Sequence, residues 1–465
     1  MKKALITSYL DGLRDRSKGA SYTKIMRYFA PEMVSALVLY SLVVLIDARF
    51  IAHLKSTVLY ATIGVTNTLI HFLTKIAEGI SVGTMVLCGY HHGKGDSDAV
   101  QRAAVSSFIV TAVLGCIVGA VLYWCAGDIY RLLGIPEDIV IIGIPFLRMK
   151  AISIVLMFLF FSLSGFLRGI QQNYIPTRCL VFGSLVFVLC DYLLIFGKCG
   201  FPRLCLQGSA IASVVQYSCM LGTLAVAMAR TDYIRQFMTS WYRSWSLRSA
   251  YRIGVLSWPV MCDKSVLAFA KMAIVRAIAP MGHVALSSFG VIKDIEMFAF
   301  VPAVAFAQVT TMLVSNHFGA GDIEAIRYTV KRTLILAVSM VMFILGICSW
   351  YAPVIVGWFD AHHVFTDFAV PALRIMSCVA VFDVLQVILS SALRGVAHMR
   401  VVLWVRIGML VGVLIPATWL MSSIAFMNDF DTFIGVYSSF YFGNGLMALC
   451  YVYWFRSGRW RHTMW

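Results

Sequence analysis

Long apolar runs, broken at short intervals by polar and basic clusters, divide the whole chain. Twelve can be counted, at 28–52, 58–90, 103–126, 139–167, 177–197, 206–229, 253–279, 284–316, 333–358, 366–392, 402–425 and 432–455. Each can cross a hydrocarbon core of about 30 Å at about 1.5 Å per residue. Helix is the backbone expected for them, because an open sheet would leave unpaired amides in lipid. The predicted fold is all-α and integral to the membrane, with twelve transmembrane helices.

The pattern repeats with a fixed shift of 226 residues. Gly93-Lys94-Gly95-Asp96 aligns with Gly319-Ala320-Gly321-Asp322, and Leu167-Arg168-Gly169 with Leu393-Arg394-Gly395. Pro145, Leu147 and Arg148 fall on Pro371, Leu373 and Arg374 in the same register. Blocks sharing one register over about 100 residues indicate duplication of a six-helix unit. An even number of helices brings both copies into the membrane from one side, so the two lobes are expected to be related by a pseudo-twofold axis along its normal. The glycines allow a tight turn, and each Asp is placed to cap the following helix.

The domain boundaries follow. Residues 1–27 form a polar, basic segment with Leu5, Tyr9 and Leu13 on one helical face, expected to lie on the cytoplasmic membrane surface. The N-lobe spans 28–229, a basic linker 230–252, the C-lobe 253–456, and a short cytoplasmic tail 457–465. The first segment lacks the apolar stretch and small-residue cleavage site of a signal peptide.

Charge sets the orientation. Only 13% of residues are charged, yet the net charge is +16. Alternate loops and helix ends, Arg332, Arg394 and Arg406 among them, carry twenty-five Lys and Arg residues, against Lys55, Arg131, Lys198 and Arg203 on the other side. This positive-inside pattern places both termini in the cytoplasm of a multi-pass protein of the inner membrane. Such a distribution gives no support to nucleic-acid binding. Cysteines lie mostly in apolar runs; Cys199 and Cys205 could pair or stay as two thiols, and no Cys/His spacing suggests zinc.

Ionisable groups inside a membrane span are costly and therefore candidates for function. Asp47, Glu78, Asp191, Asp263, Asp294, Glu296 and Asp383 are such acids, accompanied by Lys75, Lys264, Lys271, Arg276 and Lys293. Counting from Lys55 and Lys198 puts Asp47 and Asp191 at similar height, where they could share a cavity. Asp263 and Asp383 fall near mid-membrane, each eleven residues from an arginine, about 16 Å at helical rise. Asn67, His71, Thr74 and Glu78 share one helical face. Lys75 with Glu78, and Lys293 with Glu296, are spaced to neutralise each other. The acids do not follow the 226 shift, so they are assigned to work specific to each lobe. An acid in a cavity that opens alternately to each side can exchange a proton or sodium for a cationic substrate.

Several segments together resemble the multidrug and toxic compound extrusion (MATE) family. They are Pro31, Ile46-Asp47-Ala48-Arg49-Phe50, Gly79-Ile80-Ser81-Val82-Gly83-Thr84, Gly93 to Asp96, Leu167-Arg168-Gly169, Asp191 to Gly197, and Phe382-Asp383-Val384-Leu385-Gln386. The resemblance implies a V of twelve helices around a central cavity, exporting organic cations in exchange for protons or sodium. It also implies that Asp47 and Asp191 bind the coupling ion. Asp263 and Asp383, with Glu78 and Glu296 from the residues themselves, are the substrate or cation acids. Phe187 stands where one branch of the family has Asn, and the intramembrane lysines leave an anionic or zwitterionic substrate open.

The expected protein is a monomeric, ion-coupled exporter of amphipathic small molecules. It is not expected to be an enzyme, and it needs no cofactor or metal beyond a proton or sodium. A lipid-linked precursor flippase and a non-transporting receptor are the alternatives. The flippases of the wider superfamily commonly have fourteen helices, and no loop here offers a signalling domain.

Overall fold

The computed structural model describes residues 19–39, 43–52, 57–230, 245–360, 363–423 and 428–461. The N-terminal helix expected around Leu5, Tyr9 and Leu13, most of the linker and the end of the tail lie outside the described residues. Among the described residues the chain is helical, without strands.

The apolar runs become helices in the order read from the sequence. The first span comprises Tyr22–Leu37 and Val43–Ala52. Thr57–Gly93, Ser97–Trp124, Glu137–Gly169, Tyr174–Phe196 and Leu206–Ala229 are the second to sixth. Leu247–Ile278 is the seventh, followed by the bent eighth, His283–Ala299 with Val301–Gly319, and the ninth, Ile323–Trp350. The tenth joins Thr366–Val379 to Val381–Gly395, and the twelfth is Asp429–Arg456. Nine helices, or eleven spans if each bent pair is one, are long and apolar enough to cross a membrane among the described residues.

Several irregularities have local causes. The eighth span bends by 44° just before Pro302, whose ring cannot continue the preceding hydrogen-bond ladder. In the eleventh span, Met399–Met409 passes through a π-turn, Leu410–Leu414, into Ile415–Ser423. Pro416 lacks the N–H that would bond one turn back, and the wider turn accommodates that loss.

Contacts divide the chain into two units. Val34–Met261 form one; the residues before Val34 and those from Cys262 onward form the other. The start of the first span therefore packs with the later half. Phe29 stacks on Phe306 at 4.0 Å between ring centroids, and the buried Arg332 donates to the Ala20 carbonyl at 2.9 Å. The start of the seventh span packs in the first unit, where Gly79 and Gly83 let it approach through Met261 and Ser257.

The duplicated motifs make matching contacts. Asp96 accepts from Ala99 N at 2.9 Å and Asp322 from Ala325 N at 2.8 Å, after Gly95 and Gly321 at φ +78° and +74°. A Cβ at Gly169 would fall 2.9 Å from the Met85 carbonyl and 2.8 Å from Cys88 Cβ. A Cβ at Gly395 would fall 3.1 Å from the Thr311 carbonyl and 2.8 Å from Val314 Cβ. Met85 and Cys88 correspond to Thr311 and Val314 under the 226 shift. Small residues four apart, Gly165 with Gly169 and Ser391 with Gly395, bring the fourth helix of each copy close to the second.

In the first unit a cluster of Ile63, Phe146, Ile195, Leu206 and Ala210 packs between the second, fourth, fifth and sixth spans. Cys199 and Cys205 are free thiols.

Candidate functional site

The first unit gathers its charged groups beside that apolar cluster. Asp47 comes from Val43–Ala52, Asp191 from the fifth span, Ser209 and Ser213 from the sixth, and Lys150 from the fourth. Ser209 and Ser213 are one helical turn apart and so face the same way. Ser209 Oγ donates to Asp47 Oδ1 at 2.9 Å, Ser213 Oγ to the Ser209 carbonyl at 3.0 Å, and Lys150 Nζ to Ser213 Oγ at 2.6 Å. The Phe146 ring lies 5.4 Å from the ammonium.

Asp47, Asp191 and Lys150 act on one another electrostatically without a direct ion pair among the described residues. Asp191 is 0% exposed, Asp47 and Lys150 7% each. Neither oxygen of Asp191 takes a well-aligned hydrogen bond, although Ser209 and Asp47 stand beside it. One turn earlier, Phe187 is buried and offers no ligand. The acids placed at similar height by sequence are thus brought together.

Glu78 lies apart from the charges that act on this group. Lys75 Nζ reaches Glu78 Oε1 at 3.0 Å, the pairing expected from their spacing. Of the polar stripe on that helix, His71 is exposed, Asn67 and Thr74 are half-buried and Glu78 is buried.

The second unit holds two linked groups of acids. Asp263 receives Arg394 Nη2 at 2.6 Å on one oxygen and Arg406 Nε on the other. Arg394 is the penultimate residue of its helix, so the Asp263 carboxylate lies within an arginine side chain's reach of that end. Asn444 donates to Asp383 at 3.1 Å, and Lys271 and Arg406 also act on Asp383. Tyr437 donates to Glu296 Oε2, with Tyr441 close by, while Glu296 Oε1 has no aligned partner. Asp383 and Lys271 act on Glu296 as well, which ties it to Asp383. A small pocket beside the π-turn is lined by Arg406, Asn444, Leu410 and Leu414.

Two sequence expectations change. Lys293 pairs with exposed Asp294 at 3.5 Å, and Glu296 turns to Tyr437 instead. Adjacent residues on a helix point about 100° apart, yet a long exposed lysine can reach a neighbour while Glu296 faces the interior. Arg332 and Arg406, counted with the loop charges, are buried. Lys150 is absent from the residues singled out above, as is Glu32, buried in the first span. Both stand in apolar runs and were visible as charges; their partners were not. Among the described residues no group of three or more His, Cys, Asp or Glu is arranged to hold a metal ion.

Comparison with known proteins agrees with this architecture. The family model described as MatE matches residues 33–193 and 259–420. The probable multidrug resistance protein NorM of Pseudomonas syringae pv. tomato is 25% identical over 366 residues, covering 76% of this chain and 78% of that protein. The probable multidrug resistance protein YoeA of Bacillus subtilis is 22% identical over 268 residues, so the match spans 57% of either chain. Among solved structures, the Vibrio cholerae MATE transporter VcmN superposes with a TM-score of 0.86 at 18% identity, over 94% of this chain and 97% of that one. A MOP superfamily transporter from Pyrococcus furiosus, described by the reverse polarity of its binding pocket, gives 0.81 at 19% identity, over 93% and 94%. These likenesses establish the twelve-helix fold, and the family match over both halves establishes that the chain belongs to the MatE family.

Proposed function

We propose that this protein is an ion-coupled antiporter that exports amphipathic organic cations by alternating access, with both termini on the cytoplasmic side of the inner membrane. Relatives named as multidrug resistance proteins support the transport reading. The observation that carries the coupling is the state of Asp191: wholly buried, without an aligned hydrogen bond, and next to a second carboxylate. Two enclosed carboxylates carry one negative charge more than Lys150 offsets, so the site gains from taking up a proton or cation. Asp47 and Asp191 therefore bind the coupling ion, proton or sodium.

Glu296 and Asp383 form the corresponding acidic group of the second unit, with Tyr437, Tyr441 and Asn444 as polar neighbours. An organic cation held there would displace Lys271 from the acids. Asp263 and Glu78 already face cationic side chains, Arg394 and Arg406 for the first and Lys75 for the second, and each holds its partners in place within its own unit.

The test is ethidium transport by the purified chain in proteoliposomes, driven in separate experiments by a pH gradient and by a sodium gradient. Flux above empty vesicles under at least one gradient is expected. No flux under either overturns the antiport reading.

A further inference from the structure

The acid pair of the first unit comes with a cation of its own. We propose that Lys150 determines the ion specificity of this site: its ammonium stands where a bound sodium would need room and oxygen ligands, which leaves the Asp47 and Asp191 pair to couple to a proton. This rests on the antiport reading above and names the ion that it left open.

The geometry supports it in three ways. Lys150 is buried, and its partners are those of the pocket: Ser213 at 2.6 Å, the Phe146 face at 5.4 Å, and the charges of Asp47 and Asp191. Of the hydroxyl oxygens a metal ion would recruit, Ser213 Oγ already accepts from Lys150, while Ser209 Oγ donates its hydrogen to Asp47. Asp191, whose two oxygens have no aligned donor, remains available to accept a positive charge.

Charge counting points the same way. Two carboxylates and one ammonium leave a single negative charge. A proton neutralises it by forming one O–H bond to a carboxylate oxygen, and release to the other side breaks that bond. Sodium could also balance the charge, but it needs several oxygens around it and would sit beside a buried ammonium in a medium that screens poorly.

Among the described residues, the third span packs on the fourth as well and carries its charged residues, Asp98 and Arg102, in its first two turns. Of the elements packed on the fourth span, the fifth brings Asp191 and the sixth Ser209 and Ser213. The second brings Lys75 and Glu78, paired with each other, and Ala126–Leu132 brings Tyr130, bonded to Thr66 at 2.6 Å. The charged groups acting on Lys150 are Asp47 and Asp191.

The decisive experiment is saturable binding of radiolabelled sodium to the detergent-purified full chain near neutral pH, which needs no substrate. The wild-type protein is expected to bind none. Lys150→Met, which keeps the length and removes the charge, is expected to gain saturable sodium binding where the wild type shows none. Adding Asp191→Asn is expected to abolish that gain, and Lys150→Arg is expected to behave as wild type. Saturable sodium binding by the wild-type chain overturns the proposal, as does a monodisperse Lys150→Met protein that binds none. If Lys150→Met does not fold, Lys150→Gln takes its place and the wild-type measurement still decides. Absence of ethidium flux would count against antiport and leave this binding result readable by itself.

Discussion

Arg394 Nη2 lies 2.6 Å from Asp263 Oδ2, joining residues 131 positions apart, while Arg406 holds the other oxygen of the same carboxylate. Removing one member of a buried ion pair leaves the rest charged and dry, at a cost of about 3–5 kcal/mol. Asp263→Ala should therefore lower the melting temperature of the purified protein markedly, along with its yield. A variant as stable as wild type that has lost only transport would show that Asp263 serves substrate instead of the arginines.

Asp191 is expected to respond in the opposite way. Its carboxylate has no aligned donor, so Asp191→Asn replaces a buried charge by a neutral group of the same shape and should leave stability unchanged or raise it. Asp47→Asn keeps an acceptor for the Ser209 hydroxyl and removes a charge that acts on Lys150 and Asp191, with Asp191 left to balance the ammonium. Both should express normally and carry ethidium no faster than empty vesicles. Undiminished flux in both variants would remove the acid pair from the mechanism.

The crossing glycines make a third case. Gly169→Ala and Gly395→Ala would push a methyl against a backbone carbonyl and a neighbouring Cβ at about van der Waals overlap, and overpacking of this kind costs about 1–3 kcal/mol. Gly64 and Gly222 lie in helices with open space where a Cβ would go, so alanine there should be neutral or stabilising by up to about 1 kcal/mol. Thermal unfolding of the four single variants side by side checks the contrast. Equal melting temperatures would show that the helices part without penalty.

Asp360, in the loop before Thr366–Val379, offers a test by pH. Burial alone would raise its pKa, but the Thr366 hydroxyl and the N–H groups of Phe365 and Val364 donate to its carboxylate and hold it below the ordinary value. A carboxyl whose folded pKa is lowered contributes stability that is fully present above the unfolded carboxyl range and lost as pH falls through the lowered folded value. Asp360→Asn should therefore lower the melting temperature near neutral pH and flatten its decline in acid below about pH 4. An acid profile identical to wild type would show that the ionised form holds nothing in place.

Much of the scaffold was legible because it depends on local chemistry repeated in register. The caps at Asp96 and Asp322 were written in the Gly-x-Gly-Asp turns, since a left-handed glycine followed by a capping acid needs no distant partner. The close contacts of Gly169 and Gly395 recur at equivalent positions because the same small residues recur. Spacing was a weaker guide where a side chain had a choice. Lys75 met Glu78 as its helix period suggests, but Lys293 took Asp294, because Glu296 is buried against Tyr437.

By itself, then, the sequence determined a duplicated, multi-pass helical protein and the acids that its membrane spans must accommodate. These follow from hydropathy, helical rise and the expense of charge in lipid, all properties of single segments. The tertiary structure decided which charges meet: Asp47 and Asp191 with Lys150 across a serine ladder, Asp263 between two arginines, Glu296 at Tyr437 and near Asp383. A buried charge is defined by the partners that neutralise it, and those partners come from helices far apart along the chain. Their identity depends on the rotation and depth of each helix, which no single segment fixes.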